Sequence, residues 1–396
     1  MRMLKRISEL LIICFFVSFL VHSAYGTIEN REKKLYFYEN RAFAEMPELK
    51  MKALMNGEYF DDLESFLIDH AADRKKMTEM KTGFDLDVFR RPVVNDVVVK
   101  DDILLAYHGF DEHNVKDLPD RVKWITENLK SVSEATEAYG GSYCYVAVPP
   151  QFYCYEEEYP WYMDNMEDYA KEQIEQLARS LDEAGVNFLD VGPEFEQAGT
   201  LQEESSRVDN HYSMYGAFRT YRAIMQKLNE ISDNDMDILS GEDVVISEVP
   251  NAYLGAYERK LLGMRNIDES LYRLDLKDPL PFTLHIEGQE FPPEVYYASA
   301  DKSKRVTYLY YMGGDMPCAM INTNRPKLPS ILIYGDSFTN PLECILYNSF
   351  DKMYTLDLRQ YDEGTVTDFI KKYGPDYVIC VRDYESLTDC GGNGGR

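Results

Sequence analysis

The sequence predicts a three-layer α/β fold, a mostly parallel sheet with helices on both faces. Two observations carry this. From about residue 119, segments with helical spacing alternate with short apolar runs, as in strand–helix–strand units. Further on, Ile331-Leu332-Ile333-Tyr334 runs directly into Gly335-Asp336-Ser337-Phe338. Such a turn lifts a serine above the carboxyl end of a buried strand, where sites form in these sheets.

The N-terminus reads as an export signal. Arg2, Lys5 and Arg6 precede Leu10–Val21, which is apolar except for Ser18, and Ala24-Tyr25-Gly26 offers small residues for cleavage. Residues 1–26 are therefore a signal peptide or an uncleaved N-terminal anchor, and the apolar run is short against the roughly 20 residues of a membrane span. Either way the body of the protein is expected outside the cytoplasmic membrane. Cys14 lacks the small residues a lipoprotein site needs before it. Residues 27–115 form a polar N-terminal extension, with a helix expected near Tyr59–Met80 and a β-like run at Val93–Lys100.

Residues 116–390 carry the regular pattern. Val122, Ile125, Leu129 and Val132 recur at helical spacing behind Pro119. Tyr143–Val148 is a strand ending at Pro149-Pro150. Met166–Ala184 is a helix closed by Gly185, and Val186–Val191 a second strand. Ser213 caps a helix running to about Asn229. The alternation then lapses between about 240 and 327, a segment with Pro250, Pro279, Pro281, Pro292 and Pro293 and many tyrosines, expected to be an insertion covering one edge of the site. It resumes with strand Ser330–Tyr334, helix Phe338–Tyr347, strand Met353–Leu358, helix Gly364–Tyr373 and strand Tyr377–Val381. Residues 391–396 read as a flexible tail.

Composition narrows the partners. The 396 residues are 45% hydrophobic and 28% charged, ordinary globular values. The net charge of −27 repels phosphate backbones, so nucleic acid is not an expected partner. Beyond Cys14 there are Cys144, Cys154, Cys318, Cys344, Cys380 and Cys390, none at metal-ligand spacing. An even count in an exported chain permits disulfides, but the apolar surroundings of Cys144, Cys344 and Cys380 suit buried thiols equally. No glycine-rich phosphate loop and no metal constellation is present, so neither nucleotide nor metal cofactor is expected.

Ser337 is the first candidate for chemistry. The helix behind it supplies N–H groups for an oxyanion, and Gly335 permits a tight turn, although Gly-Asp-Ser is also good capping chemistry for a plain turn. A serine nucleophile needs a base, and the base an orienter. Of six histidines, His211 alone stands at a helix start within the α/β pattern, two residues from Asp209. If residues 209–211 are extended, the two side chains point to one side.

At these residues the sequence resembles the DHHW family, relatives of the alginate O-acetyltransferases within the SGNH hydrolase-like group. The patches fall in order: Glu39-Asn40-Arg41 with Pro47; Asp69-His70 with Arg74; Val146-Ala147-Val148-Pro149-Pro150; Asp209-Asn210-His211-Tyr212 with Gly216-Ala217; Tyr311 with Gly314-Asp315-Met316-Pro317; Asp336-Ser337-Phe338 with Asn340; and Asp357-Leu358-Arg359. The resemblance spans roughly residues 36–381. It implies an SGNH-like catalytic domain in which Ser337 accepts an acetyl group, His211 takes the proton, and the acetyl passes to a polysaccharide hydroxyl. It also implies a membrane-bound O-acyltransferase as acetyl supplier. Tyr212 departs from the family's tryptophan, and Gln151 stands where a basic residue follows the Pro pair.

Asn340 can reach an oxyanion or serve the first helical turn. Arg359 can clamp a carbonyl or an acidic sugar, or form a salt bridge in this acidic chain. Tyr153, Tyr155, Tyr159, Trp161 and Tyr162 suit sugar stacking or packing beneath loops. Asp69 and His70 read as structural. Three functions fit: an extracytoplasmic O-acetyltransferase acting on a cell-surface or secreted polysaccharide, an esterase with the same Ser337, His211 and Asp209, and a catalytically silent surface-polysaccharide binding or assembly protein.

Overall fold

Tyr143–Val148, Ile331–Gly335 and Tyr377–Asp383 are buried at every position, which only a strand covered on both faces requires. They form the centre of an eight-stranded sheet. The computed structural model describes residues 2–38, 41–113, 115–232, 234–389, 391 and 394. Of the sequence features above, Glu39, Asn40, Cys390 and most of the tail lie outside the described residues.

The chain divides into two compact units, Met1–Asp96 with Glu258–Asn266, and Val97–Tyr257 with Ile267–Arg396. The second holds the sheet. Its strands are β1 (Ser142–Val148), β2 (Phe188–Asp190), β3 (Thr283–Ile286), β4 (Gln289–Phe291), β5 (Cys318–Asn322), β6 (Ser330–Gly335), β7 (Lys352–Leu356) and β8 (Tyr377–Asp383), in the order β4-β3-β5-β7-β6-β8-β1-β2. The run β7-β6-β8-β1-β2 is parallel. β4, β3 and β5 extend it antiparallel.

Helix α1 (Leu118–Ala138) packs with α2 (Glu167–Ala184) and α5 (Val366–Tyr373), while α3 (Met214–Ser232) packs with α4 (Thr339–Leu346); α1 and α3 both lie on β1. The result is the expected three-layer arrangement. Local signals set the ends. Gly185 closes α2 at φ 72°, and Ser213 Oγ accepts the N–H groups of Tyr215 and Gly216. Thr365 and Asp368 form a capping box on α5. β7 lies to one side of β6 and β8 to the other, so the strand order reverses at β6, the position where sites form in such sheets.

Several expectations change. The 240–327 segment is not only a cover: it supplies β3, β4 and β5 and a hairpin of Val244–Glu248 with Tyr272–Leu276. The second parallel strand is shorter than Val186–Val191: Phe188–Asp190 pairs in register with Tyr145–Ala147 of β1, and Asn187 and Val191 flank it with one backbone hydrogen bond each to β1.

In the first unit, the helix expected over Tyr59–Met80 is two, Glu58–Asp69 and Arg74–Gly83, interrupted where Asp73 takes a left-handed φ of 52°. The run Val93–Lys100 breaks at Asn95 and Asp96, both at positive φ. The N-terminal helix runs Arg2–Asn30. Its stretch Glu9–Asn30 is 22 residues at mean hydropathy 1.9 and is long enough to cross a membrane, unlike the shorter apolar core alone. Asp69 is structural: Arg41 binds both its oxygens, and the Ala44 N–H joins at 2.9 Å, so the carboxyl is held at about 2. His70 is buried between the Phe66 and Lys33 carbonyls. Cys14, Cys144, Cys154, Cys318 and Cys344 are free thiols, and Cys144, Cys154, Cys344 and Cys380 are buried.

Candidate active site

Gly335 ends β6 because nothing larger fits. A Cβ there would stand 2.0 Å from the Val381 carbonyl oxygen of β8. The chain then turns through Asp336, whose Oδ1 accepts the Phe338 N–H at 3.0 Å. Asp336 Oδ2 accepts from Ser386 Oγ at 3.0 Å and lies 3.6 Å from Arg382 Nε. Burial, and then the Asp336 charge, push the neighbouring Asp383 carboxyl up to about 7. This carboxylate lattice fixes the turn that carries Ser337.

His211 arrives from the segment before α3. The segment is bent, not extended: Asp209 Oδ1 accepts both the His211 N–H at 3.3 Å and His211 Nδ1–H at 2.6 Å. Because the carboxylate only accepts, Nδ1 carries the proton, and Nε2 is left to accept from the Ser337 hydroxyl at 2.6 Å. The structure thus joins Asp209, His211 and Ser337 in one hydrogen-bonded line, although His211 and Ser337 stand 126 positions apart in the chain. Asp209 Oδ2 accepts from Tyr253 Oη at 2.8 Å and Ala256 N at 2.6 Å. Burial would raise the Asp209 carboxyl, but His211, the Ala256 N–H and Tyr253 outweigh it and hold it below its usual range. Tyr308 stacks on the imidazole at 3.8 Å and 12°, and Phe338 meets it at 4.8 Å.

Tyr253, Ala256 and Tyr308 were not among the sequence candidates. All three come from the 240–327 segment, which the sequence marks as a cover for the site by its prolines and tyrosines without singling out these residues. Tyr212 is buried, and its hydroxyl donates to the Phe338 carbonyl, tying the start of α3 to the serine turn. The first-turn amides of α4 are engaged: Phe338 and Thr339 N–H groups are held by Asp336, and Asn340 N–H by the Ser337 carbonyl. The Asn340 side chain donates to Asp315 Oδ1 at 2.9 Å. Arg359 bridges Asp315 at 2.7 Å and Asp357 at 2.8 Å, the salt-bridge alternative. Gln151 is fully buried and donates to the Leu104 and Ser206 carbonyls, a structural role. Among the described residues no group of three or more His, Cys, Asp or Glu is arranged to hold a metal ion.

Residues 100–271 match the family model described as SGNH hydrolase-like domain, acetyltransferase AlgX. The match covers less than half the chain; it includes Asp209 and His211 and stops short of Ser337. No curated protein matches in sequence. Among solved structures, PatB1 of Bacillus cereus is similar at TM-score 0.63 and 19% identity, over 76% of this chain and 98% of that one. The same protein with a sulfonyl adduct gives 0.61 and 19%, over 74% and 95%. A DHHW family protein from Eubacterium siraeum gives 0.54 and 17%, over 75% and 93%. The resemblance expected from the ordered patches is therefore found, and the fold is SGNH hydrolase-like.

Proposed function

We propose that the protein is an extracytoplasmic O-acetyltransferase that moves an acetyl group through an acetyl-Ser337 intermediate to a polysaccharide hydroxyl. The observation that carries this reading is the line Asp209–His211–Ser337, closed at 2.6 Å on both sides of the imidazole. Ser337 Oγ attacks the acetyl carbonyl carbon while His211 Nε2 takes its proton. The imidazolium returns that proton to the departing donor group. An acceptor hydroxyl then gives its proton to Nε2 and attacks the acetyl-Ser337 carbonyl, and the proton passes back to Ser337 Oγ. Asp209 holds the tautomer and stabilises the imidazolium. With the amides of residues 338 to 340 engaged, the Ser337 N–H is the donor we assign to the oxyanion.

The family-model match to an acetyltransferase supports transfer over the other reactions of this fold. The long apolar N-terminal helix supports a body held outside the cytoplasmic membrane, where a membrane-bound O-acyltransferase would supply the acetyl group. The experiment is a transfer assay: p-nitrophenyl acetate as donor, a panel of oligosaccharides as acceptors, and mass spectrometry of the sugars. Acetylated oligosaccharide formed by the wild type and not by Ser337→Ala is the expected result. Acetate released at the wild-type rate with no acetylated sugar would make the protein an esterase instead.

A further inference from the structure

The loop leaving β1 uses its aromatic rings in two ways. Tyr155 and Tyr159 are buried, their hydroxyls donating to the Gln202 and Ala106 carbonyls at 2.9 Å each. Trp161 is 94% exposed. It meets the ring of Tyr162 edge-on at 5.6 Å, and Tyr162 lies nearly parallel to Phe110 at 6.3 Å and 17°. Tyr162 and Phe110 are themselves exposed. Three touching aromatic rings left in water are unfavourable unless something covers them.

Beside them is a cavity of about 590 Å³. Asp164 lines it with a side chain only 8% exposed. Its Oδ1 accepts the Met166 N–H at 2.8 Å. Its Oδ2 accepts no hydrogen bond among the described residues and lies 3.4 Å from His113 Nδ1. The lining adds five carboxylates, Asp111, Glu112, Asp168, Glu172 and Glu175, against one lysine, Lys171, so its charge is net negative.

We propose that Trp161, Tyr162, Phe110 and Asp164 form a carbohydrate subsite for an uncharged segment of the acceptor polysaccharide, closed to polyuronates. This rests on the polysaccharide-acceptor reading above and deepens it. The apolar face of a sugar ring covers an aromatic ring, and its hydroxyls donate to carboxylates that can only accept. A polyuronate or an anionic membrane would instead meet like charge, on a chain already at −27. The place fits. The loop begins at the carboxyl end of β1, where Gln151 N–H donates to the Asn210 carbonyl at 3.0 Å, one residue from His211. β1 is two strands from β6, about 10 Å at ordinary strand spacing. Since β6, β8 and β1 are parallel, this loop and the Ser337 turn leave the sheet at the same end.

The test is affinity electrophoresis of the full chain in mild detergent, in gels holding hydroxyethylcellulose, glycol chitin, galactomannan or polygalacturonate. Retardation by at least one neutral polymer is expected. It should weaken about tenfold or more in Trp161→Ala, as for a central aromatic anchor, recover partly in Trp161→Phe, and persist in Ser337→Ala. Polygalacturonate should not retard the protein. No retardation by any neutral polymer, retardation indifferent to Trp161→Ala, or binding to polygalacturonate would each overturn the proposal. So would Trp161-dependent sedimentation with phosphatidylglycerol vesicles. Trp161-dependent retardation in a protein that transfers no acetyl would remove the transferase reading and leave the subsite standing.

Discussion

Tyr253 Oη donates to Asp209 Oδ2 at 2.8 Å, on the side of the carboxylate opposite His211. With Ala256 N–H on the same oxygen, a residue pair outside the parallel part of the sheet fixes one end of the Asp–His–Ser line. Tyr253→Phe keeps the ring and removes this one donor. A hydrogen bond to a charged group contributes about 1.5–3 kcal/mol, so acetylation of Ser337 should slow about tenfold or more. Losing a donor to the ionised form also raises the Asp209 carboxyl. The deficit should therefore widen as pH falls, which a pH–rate profile for both proteins measures.

Gly335→Ala places a methyl against the Val381 carbonyl, a backbone atom that cannot step aside without parting β6 from β8. A loss on the order of 3 kcal/mol is expected in urea unfolding. A variant with wild-type stability would show that the turn before Ser337 has room this structure denies it.

Glu343, buried on α4, gives a pH signature. Burial, reinforced by Asp315 and Asp357, pushes its carboxyl up to about 8 against some opposition from the Thr339 hydroxyl. In the unfolded chain it ionises near 4.5. Between those values the folded state holds a proton the unfolded state has lost, so this residue's contribution to stability declines as pH rises through the window. Glu343→Gln removes the titration and keeps an oxygen for Thr339. Its stability relative to wild type should climb from pH 4.5 to 8 by on the order of 4 kcal/mol. Parallel stability curves would place the wild-type titration elsewhere.

The central sheet and the serine turn were legible because their signals are local. A strand buried on both faces reads as a continuous apolar run, as Ile331–Tyr334 does, and Gly335-Asp336-Ser337 marks its end. Asp209 and His211 were legible as a pair two residues apart, though the bend that joins them replaces the extended geometry expected. Their meeting with Ser337 is non-local, and the order of the family-like patches signalled it more than any spacing. The 240–327 segment was opaque for a physical reason. Its strands are short and antiparallel, and Tyr253 and Tyr308 act through contacts with residues far along the chain, which leave no periodicity. The break between the helices at Glu58–Asp69 and Arg74–Gly83 rests on one left-handed residue, Asp73, with no glycine or proline to announce it. Only Trp161 and Tyr162 of the aromatic cluster are exposed, because burial within one loop depends on what packs beneath it.

The most direct measurement is the intact mass of the protein after brief exposure to p-nitrophenyl acetate, with Ser337→Ala and His211→Ala alongside. One acetyl group should appear on the wild type, be absent from Ser337→Ala and form slowly on His211→Ala. An acetyl group that forms equally on Ser337→Ala, or no adduct and no p-nitrophenol release by the wild type, would contradict the assignment of Ser337 as nucleophile.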